Sequence, residues 1–590
     1  MKKIAYLIGA ALMIAGTFAS CDLDSESLTE KDTTNFPQTA DDANQALAAV
    51  YQNLNSINAY SQESFHYYAL LASDDMLGGG GANDKLMQAM DFICNYNVNM
   101  TENFWKIRYQ GINRANTLLE ALEGIEMEAD VKAQAEGEAK FLRAFYYYEL
   151  ASMYGRVPLV ITAVKPDDTT PPSAAGLWGQ ILQDLRDAAQ NMPATRKSDG
   201  HVDKYTAEAM LGRAWLFYTG MYCNGEELTD LVSTNYSPLT SVALPDGSTL
   251  TKQDVIGYID DCVNNSGYSL VSDFRNLWAY TNRCTVEDYP ATAGQGLKWV
   301  EDDAAVNPES MFAIKFNKLA SWSTTIGYGN GYALYFGIRG GQDYAATFPF
   351  GQGWGAGPVA PNLVNDWKAA ESGDMRCTAS IENVKDMPAY TYGGASWADF
   401  IQETDYYQKK IGPVTAKYTA GDGSETIAPV FEYVMYGADG WINDNLMQTG
   451  NIHDLVLIRF ADVLLMQSEL KEDVAGINRV RARANLAPIT AYSLAALQNE
   501  RRWELAFEGT RWNDIRRWHI AVAALEKQTN VSIYTSGTAT KNTAHNGGYA
   551  ARYNATAGFQ KIPENQVTLN EGMVQQNAGW ADASSEYTGW

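Results

Sequence analysis

One short stretch near the C-terminus, Glu500 to Trp518, limits the possible folds more than any other part of this chain. Its three glutamates recur every four residues and so share one face of a helix, while Trp503 and Phe507 share another. Gly509 can adopt the left-handed conformation that ends a helix, which predicts a second short helix after it. That second helix carries Arg511, Trp512, Arg516 and Trp518. Because charged and aromatic side chains alternate throughout, the pattern predicts a partly buried network of ion pairs around stacked rings.

The N-terminus has the features of a secretory signal that ends in a lipidated cysteine. Met1-Lys2-Lys3 is positively charged, and the apolar stretch 4–18 is too short to span a bilayer comfortably. Two small residues precede Cys21, and in a lipoprotein the thiol at this position receives the diacylglycerol group. Phe18 stands where leucine is commonest, and the alternative is an ordinary secreted protein with a chance cysteine. We interpret residues 1–20 as a lipoprotein signal peptide and Cys21 as the lipidation site.

A polar segment follows the cysteine. Residues 21–40 lack apolar periodicity and carry four early acidic residues, which predicts a flexible acidic tether. A lipid anchor with such a tether would hold a folded body outside the membrane. No later segment is long and apolar enough to cross a bilayer.

Charge and cysteine spacing narrow the range of partners and sites. A formal net charge of −26 argues against a nucleic-acid partner and, unless a local basic cleft exists, against an anionic polymer as ligand. The cysteines after Cys21 are far apart, no CxxC pair occurs, and no histidine lies in an HExxH pattern, so we predict no metal site and no cofactor. The 35 tyrosines and 15 tryptophans suit sugar binding, because the apolar face of a pyranose stacks on aromatic rings.

Apolar residues at helical spacing predict a mainly α-helical fold. The pattern occurs in 41–58, 104–122, 136–154 and 207–218, and it returns in 453–469 and 475–485. Paired helices of this length, with alanines where partners approach, are typical of tetratricopeptide-repeat-like (TPR-like) helical hairpins. Between about 225 and 450 the helical periodicity is largely lost, and glycine-rich turn signals such as Asn330-Gly331 dominate. This part is a long irregular, loop-rich insertion, and loops on a rigid scaffold are where binding usually occurs.

These observations divide the chain into five parts. They are a signal peptide (1–20), an acidic tether (21–40), an N-terminal TPR-like helical part (41–224), a loop-rich ligand-binding part (225–450) and a C-terminal helical part with a tail (451–590) that packs on 41–224.

Further distinctive segments occur in a fixed order along the chain. They are Asn103–Asn116, Glu138–Tyr148 followed by Tyr154-Gly155, Val456–Met466, Ile477–Arg483, Glu500–Trp518 and the tail with Lys561-Ile562-Pro563 and Gln575–Gly579. In this order they resemble the SusD/RagB family, the surface glycan-binding lipoproteins of Gram-negative nutrient-uptake systems. The resemblance runs from the lipidation site almost to Trp590.

The resemblance implies a function and a location. It implies a non-catalytic lipoprotein, exposed on the outer membrane of a Gram-negative bacterium, that captures an oligosaccharide and delivers it to a SusC-like TonB-dependent transporter. It also implies a SusD-like fold with a shallow site formed by an N-terminal loop and the irregular middle. Two alternatives remain open: a peptide-binding member of the same family, and a glycoside hydrolase, which would need two carboxylates flanking the scissile bond.

Candidate ligand-binding residues lie in both loop regions. The resemblance points to Asp74 and Asp75, and the same loop carries Asn83 after a run of four glycines. The middle contributes rings spaced irregularly among glycines, which cannot all face one core. The candidates there are Trp322, Tyr328, Tyr332, Tyr335, Arg339 and Trp354. By contrast, we interpret the charged residues of the helical segments, such as Glu504 and Arg459, as buried pairs between helices rather than as a catalytic site.

We expect Cys21 to be lipidated and the folded body to be exposed to the medium. Protease treatment of intact cells should release the body, and Cys21→Ala should abolish membrane attachment without changing the fold. Full protection of the wild-type protein from the protease would contradict surface exposure.

Overall fold

The polypeptide folds mainly into α-helices joined by short two-stranded sheets, as the periodicity predicts. The computed structural model describes residues 36–92, 99–316, 329–340, 343–393, 399–419, 422–430, 450–543 and 548–580. Cys21 and most of the tether lie outside the described residues.

Capping side chains set the starts of the N-terminal helices. Helix α1 (Ala40–Ser56) follows Thr39, whose hydroxyl accepts the Asp42 N–H at 3.2 Å while the Asp42 carboxylate accepts the Thr39 N–H at 3.2 Å. Ser173 and Asp203 cap two later helices through their side-chain oxygens. The other helices of this part are α2 (Phe65–Leu71), α3 (Lys85–Met90), α4 (Glu102–Leu122), α5 (Ala129–Tyr154), α6 (Ala174–Asn191), α7 (Lys204–Met221), α8 (Leu228–Leu231) and α9 (Lys252–Asn265).

Helices α4 to α7 pack in sequence, each against the next, and form the predicted TPR-like scaffold. Buried ion pairs join neighbours: Arg108 on α4 lies 2.6 Å from Glu149 on α5. In the next pair of helices, Arg143 on α5 lies 2.7 Å from Asp184 on α6. Helix α5 ends at Gly155, whose φ of +75° is a conformation that favours glycine.

The middle of the chain contains short elements rather than long helices. Its helices are α10 (Gly331–Tyr335), α11 (Tyr344–Thr347), α12 (Pro361–Ala370) and α13 (Met375–Ser380). Its strands, with a hairpin that precedes α9, are β1 (Ser241–Ala243), β2 (Thr249–Thr251), β3 (Ser310–Ile314), β4 (Ile338–Arg339), β5 (Gln352–Gly353), β6 (Ile381–Asn383), β7 (Tyr406–Gln408), β8 (Thr415–Thr419) and β9 (Glu425–Pro429). The pairs β1–β2, β6–β7 and β8–β9 are antiparallel, and β4–β5 is parallel.

The C-terminal part returns to helices and closes against both earlier parts. Its elements are β10 (Leu455–Arg459), α14 (Phe460–Lys471), α15 (Ala475–Arg483), α16 (Leu494–Glu504), α17 (Arg511–Arg517), α18 (Ala521–Glu526), β11 (Ser532–Thr535), β12 (Thr538–Lys541), α19 (Tyr549–Thr556) and α20 (Glu564–Leu569). Helix α17 packs on α7, and Asn513 of α17 donates to the Tyr148 hydroxyl of α5 at 2.9 Å. Phe145, Met466 and Trp512 belong to one continuous apolar core.

Two local predictions need correction. Residues 455–459 form strand β10, antiparallel to β3, where the sequence pattern predicts helix. A short apolar run is compatible with a helix or a strand, and here pairing with the distant strand β3 favours the strand. The helix that contains Glu500 ends at Glu504, earlier than the predicted break at Gly509. Phe507 and Gly509 both have positive φ, +65° and +74°, which a continuing helix does not allow.

The predicted ion-pair network centres on Glu504, whose side chain is fully buried. Its carboxylate lies 2.5 Å from Arg459 of β10 and 2.9 Å from Arg376 of α13, and it also binds Arg483 of α15. Burial alone would raise the pKa of Glu504, but the three arginines outweigh that effect and hold it well below its ordinary value. The network therefore joins four separate segments of the chain through one carboxylate.

Three further ion pairs extend the network. Arg376 also lies 2.7 Å from Glu500, and Arg459 lies 2.6 Å from Glu508 and 2.8 Å from Glu309. Next to it, Trp503 stacks on Trp367 of α12, with ring centroids 5.0 Å apart and planes 15° apart.

Within the described residues, no helix is both long and apolar enough to cross a membrane.

Replacing Glu504 by alanine should lower the free energy of unfolding by about 3–5 kcal/mol, because three buried guanidinium groups would lose their shared partner. Glu526→Ala is the matched control, since the Glu526 side chain is exposed, and its effect should stay within about 0.5 kcal/mol. Urea titration of both variants measures the difference. Equal stability of the two variants would contradict the central role of Glu504.

Candidate functional site

Asp74 and Asp75 are buried beneath the loop that carries them, with 0% and 1% exposure. Arg511 lies 2.7 Å and Arg502 2.9 Å from Asp74, and Arg502 also lies 2.8 Å from Asp75. Burial would raise the pKa of Asp74, yet the two arginines hold it well below its ordinary range. The expectation that these carboxylates contact a ligand is therefore corrected: they fasten the loop to the C-terminal helices α16 and α17.

The glycine run after them is packed rather than loose. Gly79 and Gly80 have φ of +71° and +67°, so they adopt a conformation that other residues rarely take. The Gly79 N–H donates to Gln402 at 3.0 Å, and a Cβ at Gly79 would lie only 2.2 Å from the Gly355 carbonyl oxygen. Bridges from Gly79 to Ala356 and from Gly81 to Phe400 hold the run against the loop-rich part. Glycines are required here because the backbone of this run packs closely against the backbone of the loop-rich part.

Arg339 of β4 is the centre of the surface above this run. Its guanidinium group lies 3.0 Å from Asp84 and 2.8 Å from Asp399, and it donates to the Trp354 carbonyl oxygen at 2.9 Å. Its side chain is only 7% exposed, whereas those of Asp84 and Asp399 are 30% and 46% exposed. Arg339 therefore joins three separate loops, and its two carboxylate partners face solvent.

Two aromatic residues are carried on the backbone segments next to this ion-pair group. Trp354 and Tyr335 are half-buried, and their segments are joined because the Trp354 N–H donates to Leu334 O at 3.0 Å and the Ala356 N–H to Tyr335 O at 2.9 Å. Exposed Asn83 precedes Asp84 directly. We name this surface the Arg339 patch. It consists of Asn83, Asp84, Tyr335, Arg339, Trp354 and Asp399.

The remaining predicted residues have two different outcomes. Tyr332 is 1% exposed and its ring lies edge-on to His66, 5.4 Å away, so it belongs to the core and its assignment to a ligand site is corrected. Trp322 and Tyr328 lie outside the described residues. The structure thus brings together Asn83, Tyr335, Arg339 and Trp354 from the predicted set.

Sequence reasoning missed Asp84 and Asp399, which complete the patch. A usable signal was present, because an arginine within a glycine-rich aromatic segment needs carboxylate partners when it is buried. Sequence alone could not choose those partners among 70 acidic residues, since Asp84 and Asp399 lie on different loops.

The patch has the groups needed to hold a polyhydroxylated ligand. Trp354 and Tyr335 are partly exposed rings, and the partly exposed carboxylates of Asp84 and Asp399 can accept hydrogen bonds from hydroxyl groups. Arg339 directs its Nη1 and Nη2 donors at protein acceptors, so its main effect is to position the two carboxylates.

Comparison with known proteins agrees with this architecture. A family model described as "SusD family" matches residues 308–580, and another described as "Starch-binding associating with outer membrane" matches residues 23–218. SusD-like protein P2 of Formosa agariphila is 24% identical over 545 residues, which cover 88% of this chain and 91% of that protein.

Solved structures show the same fold. A laminarin-binding SusD-like protein superposes with a TM-score of 0.65 at 22% identity and covers 92% of this chain and 100% of its own. Surface glycan-binding protein A from Bacteroides thetaiotaomicron, in complex with laminarihexaose, gives a TM-score of 0.62 at 18% identity, with 92% and 100% covered. The two SusD-type family models, which match residues 23–218 and 308–580, show that this protein belongs to the SusD/RagB family.

Proposed function

We propose that this protein is a non-catalytic glycan-binding lipoprotein on the surface of the outer membrane. It captures an oligosaccharide and delivers it to a SusC-like TonB-dependent transporter. The observation that carries the proposal is the Arg339 patch, where half-buried rings stand beside solvent-facing carboxylates on a rigid base.

Binding at the patch combines two kinds of contact. The apolar face of a pyranose stacks on Trp354 or Tyr335, and sugar hydroxyls donate charge-assisted hydrogen bonds to Asp84 and Asp399. A shallow surface covers only part of the ligand, so affinity stays moderate and release to a transporter remains possible.

Family context supports both parts of the proposal. The model that matches residues 23–218 is described by starch binding and association with the outer membrane, and two relatives of the same fold are named for laminarin and laminarihexaose. The predicted lipid anchor at Cys21 provides the attachment to the membrane that a transporter partner requires.

Removing a stacking ring should weaken binding without unfolding the protein. Trp354→Ala and Tyr335→Ala should each raise the Kd for laminarihexaose or maltohexaose, whichever binds, about 2- to 12-fold, since a stacked ring contributes about 0.5–1.5 kcal/mol. Isothermal titration calorimetry gives the Kd values.

Tyr258→Ala on α9 is the control, because Tyr258 is also a half-buried tyrosine but packs on the N-terminal helices, where its hydroxyl accepts from Gln190 of α6 at 2.6 Å. Its Kd should match that of the wild type. Thermal melts verify that all three variants remain folded. Unchanged affinity in both patch variants would place the binding surface elsewhere.

Prolonged incubation with a panel of oligosaccharides should leave every substrate intact. The exposed carboxylates of the patch share one arginine, and neither lies in an apolar pocket of the kind that keeps a catalytic acid protonated. Chromatography of the reaction mixtures measures turnover. Reducing-end product that disappears in Asp84→Asn or Asp399→Asn would show a hydrolase instead of a binding protein.

A further inference from the structure

A cavity of about 210 Å³ lies between residues 196–201, in the loop that joins α6 to α7, and the segment around β3. It shares no residue with the Arg339 patch. Pockets for drug-sized ligands usually measure about 300–1,000 Å³, so this cavity is small for a whole oligosaccharide. Its size therefore suits a single small chemical group.

Two consecutive cations of the loop line this cavity without an acidic partner. Neither Arg196 nor Lys197 forms an ion pair with a described residue. The guanidinium group of Arg196 lies over the Tyr268 ring, 4.0 Å from its centroid, and donates through Nη1 to Gly267 O at 3.2 Å. Its Nε is buried and has no hydrogen-bond partner in the described part of the chain. Because a buried donor without an acceptor is destabilising, this N–H favours a ligand that brings an oxygen acceptor.

Two carboxylates next to the loop are already engaged. Asp203 is fully buried, caps α7 through the Thr206 N–H at 2.8 Å, and does not line the cavity. Asp454 lines it but lies 2.5 Å from the ammonium group of Lys315. Lys315 crosses the loop at Gly200, where a Cβ would lie 3.1 Å from Lys315 Cδ. These acids therefore leave the two loop cations unneutralised.

His201 adds a positive charge that depends on pH. It lines the cavity, its side chain is 46% exposed, and its Nδ1 lies 2.6 Å from the Glu138 carboxylate. That carboxylate also accepts the Tyr51 hydroxyl at 2.5 Å, which fixes its position. The hydrogen bond to Glu138 raises the pKa of His201; exposed Asp199 acts in the same direction, and Lys197 opposes them. Protonated His201 therefore brings a further cationic donor to the cavity.

Glu301 is the other acidic residue in the lining of the cavity. Burial and the neighbouring Asp454 raise the pKa of Glu301 to about 8, so its carboxyl group is mostly uncharged near neutral pH. With Glu301 neutral and Asp454 paired, the two loop cations make the cavity positive. The chain as a whole has a formal net charge of −26, so this cavity is a local exception to an acidic surface.

We propose that this cavity binds a tetrahedral oxyanion, the sulfate or phosphate group of a small ligand. The Arg196 Nε–H and the Lys197 ammonium group donate charge-assisted hydrogen bonds to its oxygens, and protonated His201 adds another donor. An uncharged hydroxyl group would leave the two cations without a counter-charge. The site is separate from the Arg339 patch, and the proposal does not depend on the proposed glycan function.

Isothermal titration calorimetry with inorganic sulfate tests the charges directly. Arg196→Gln and Lys197→Gln should each raise the Kd for sulfate about 10-fold or more, because each removes a charged donor. Lys165→Gln is the matched control, since it removes one positive charge from an exposed position outside the cavity, and its Kd should stay within about 2-fold of the wild type. Thermal melts verify that the variants are folded, and Lys197→Gln alone decides the matter if Arg196→Gln is not.

The pH dependence of the same titration tests His201 and Glu301. Sulfate stays a dianion between about pH 6 and pH 9, so any change in affinity comes from the protein. Affinity should fall as the pH rises, because His201 loses its positive charge and Glu301 gains a negative one near pH 8. His201→Gln should remove the part of the fall due to the imidazole, and Glu301→Gln the part near pH 8. An affinity of the wild type that does not change over this range would contradict the proposal.

Sugar esters separate a free anion from a group carried on a larger molecule. Galactose 6-sulfate and glucose 6-phosphate are titrated beside inorganic sulfate, inorganic phosphate and the two unmodified sugars. Tighter binding of an ester than of its inorganic ion, lost in Lys197→Gln, would assign the site to esters, and equal binding would assign it to the free ion. No binding by any of the four anions would overturn the proposal. Equal affinities of the wild type and the folded Arg196→Gln and Lys197→Gln variants would do so as well.

Discussion

The structure depends on one buried carboxylate that three arginines share. Glu504 is fully buried and its arginine partners come from β10, α13 and α15. A lone buried carboxylate would be strongly destabilising, and a lone buried arginine equally so. Glu504 therefore has its full set of partners only when all three segments are in place. The ion pairs in this way specify a single arrangement of the loop-rich part against the C-terminal helices.

Helices α16 and α17 also contact the candidate site, through a second group of ion pairs. Arg502 and Arg511 hold Asp74 and Asp75, which begin the loop that ends at Asp84. Between them, the packed glycines fix the path of the backbone. Arg502 of α16 and Arg511 of α17 are thus connected, through a single loop, to the partly exposed Asp84 carboxylate beside Arg339. The surface that we propose for glycans is positioned by the core and is not a loose loop.

Sequence reasoning predicted the parts of the fold that have local causes. The long helices follow from apolar spacing and from caps such as Thr39, and the glutamate spacing of α16 predicted a buried network. Strand β10 was missed because its pairing with β3 is decided by residues more than a hundred positions away. For the same reason, Asp84 and Asp399 could not be chosen as partners of Arg339. Asp74 was likewise assigned to a ligand, although its partners are arginines of the C-terminal part.

The position of Asp74 also explains why family membership and ligand identity are separate conclusions. The residues that make the sequence recognisable are buried charges and rings, which hold the framework together. The groups that would contact a ligand are few, half-exposed and carried on different loops, as Tyr335, Trp354 and Asp399 are. Substituting them changes little of the core, so stability does not restrict them as it restricts Glu504. The proposed ligand contacts can therefore change without loss of the buried framework.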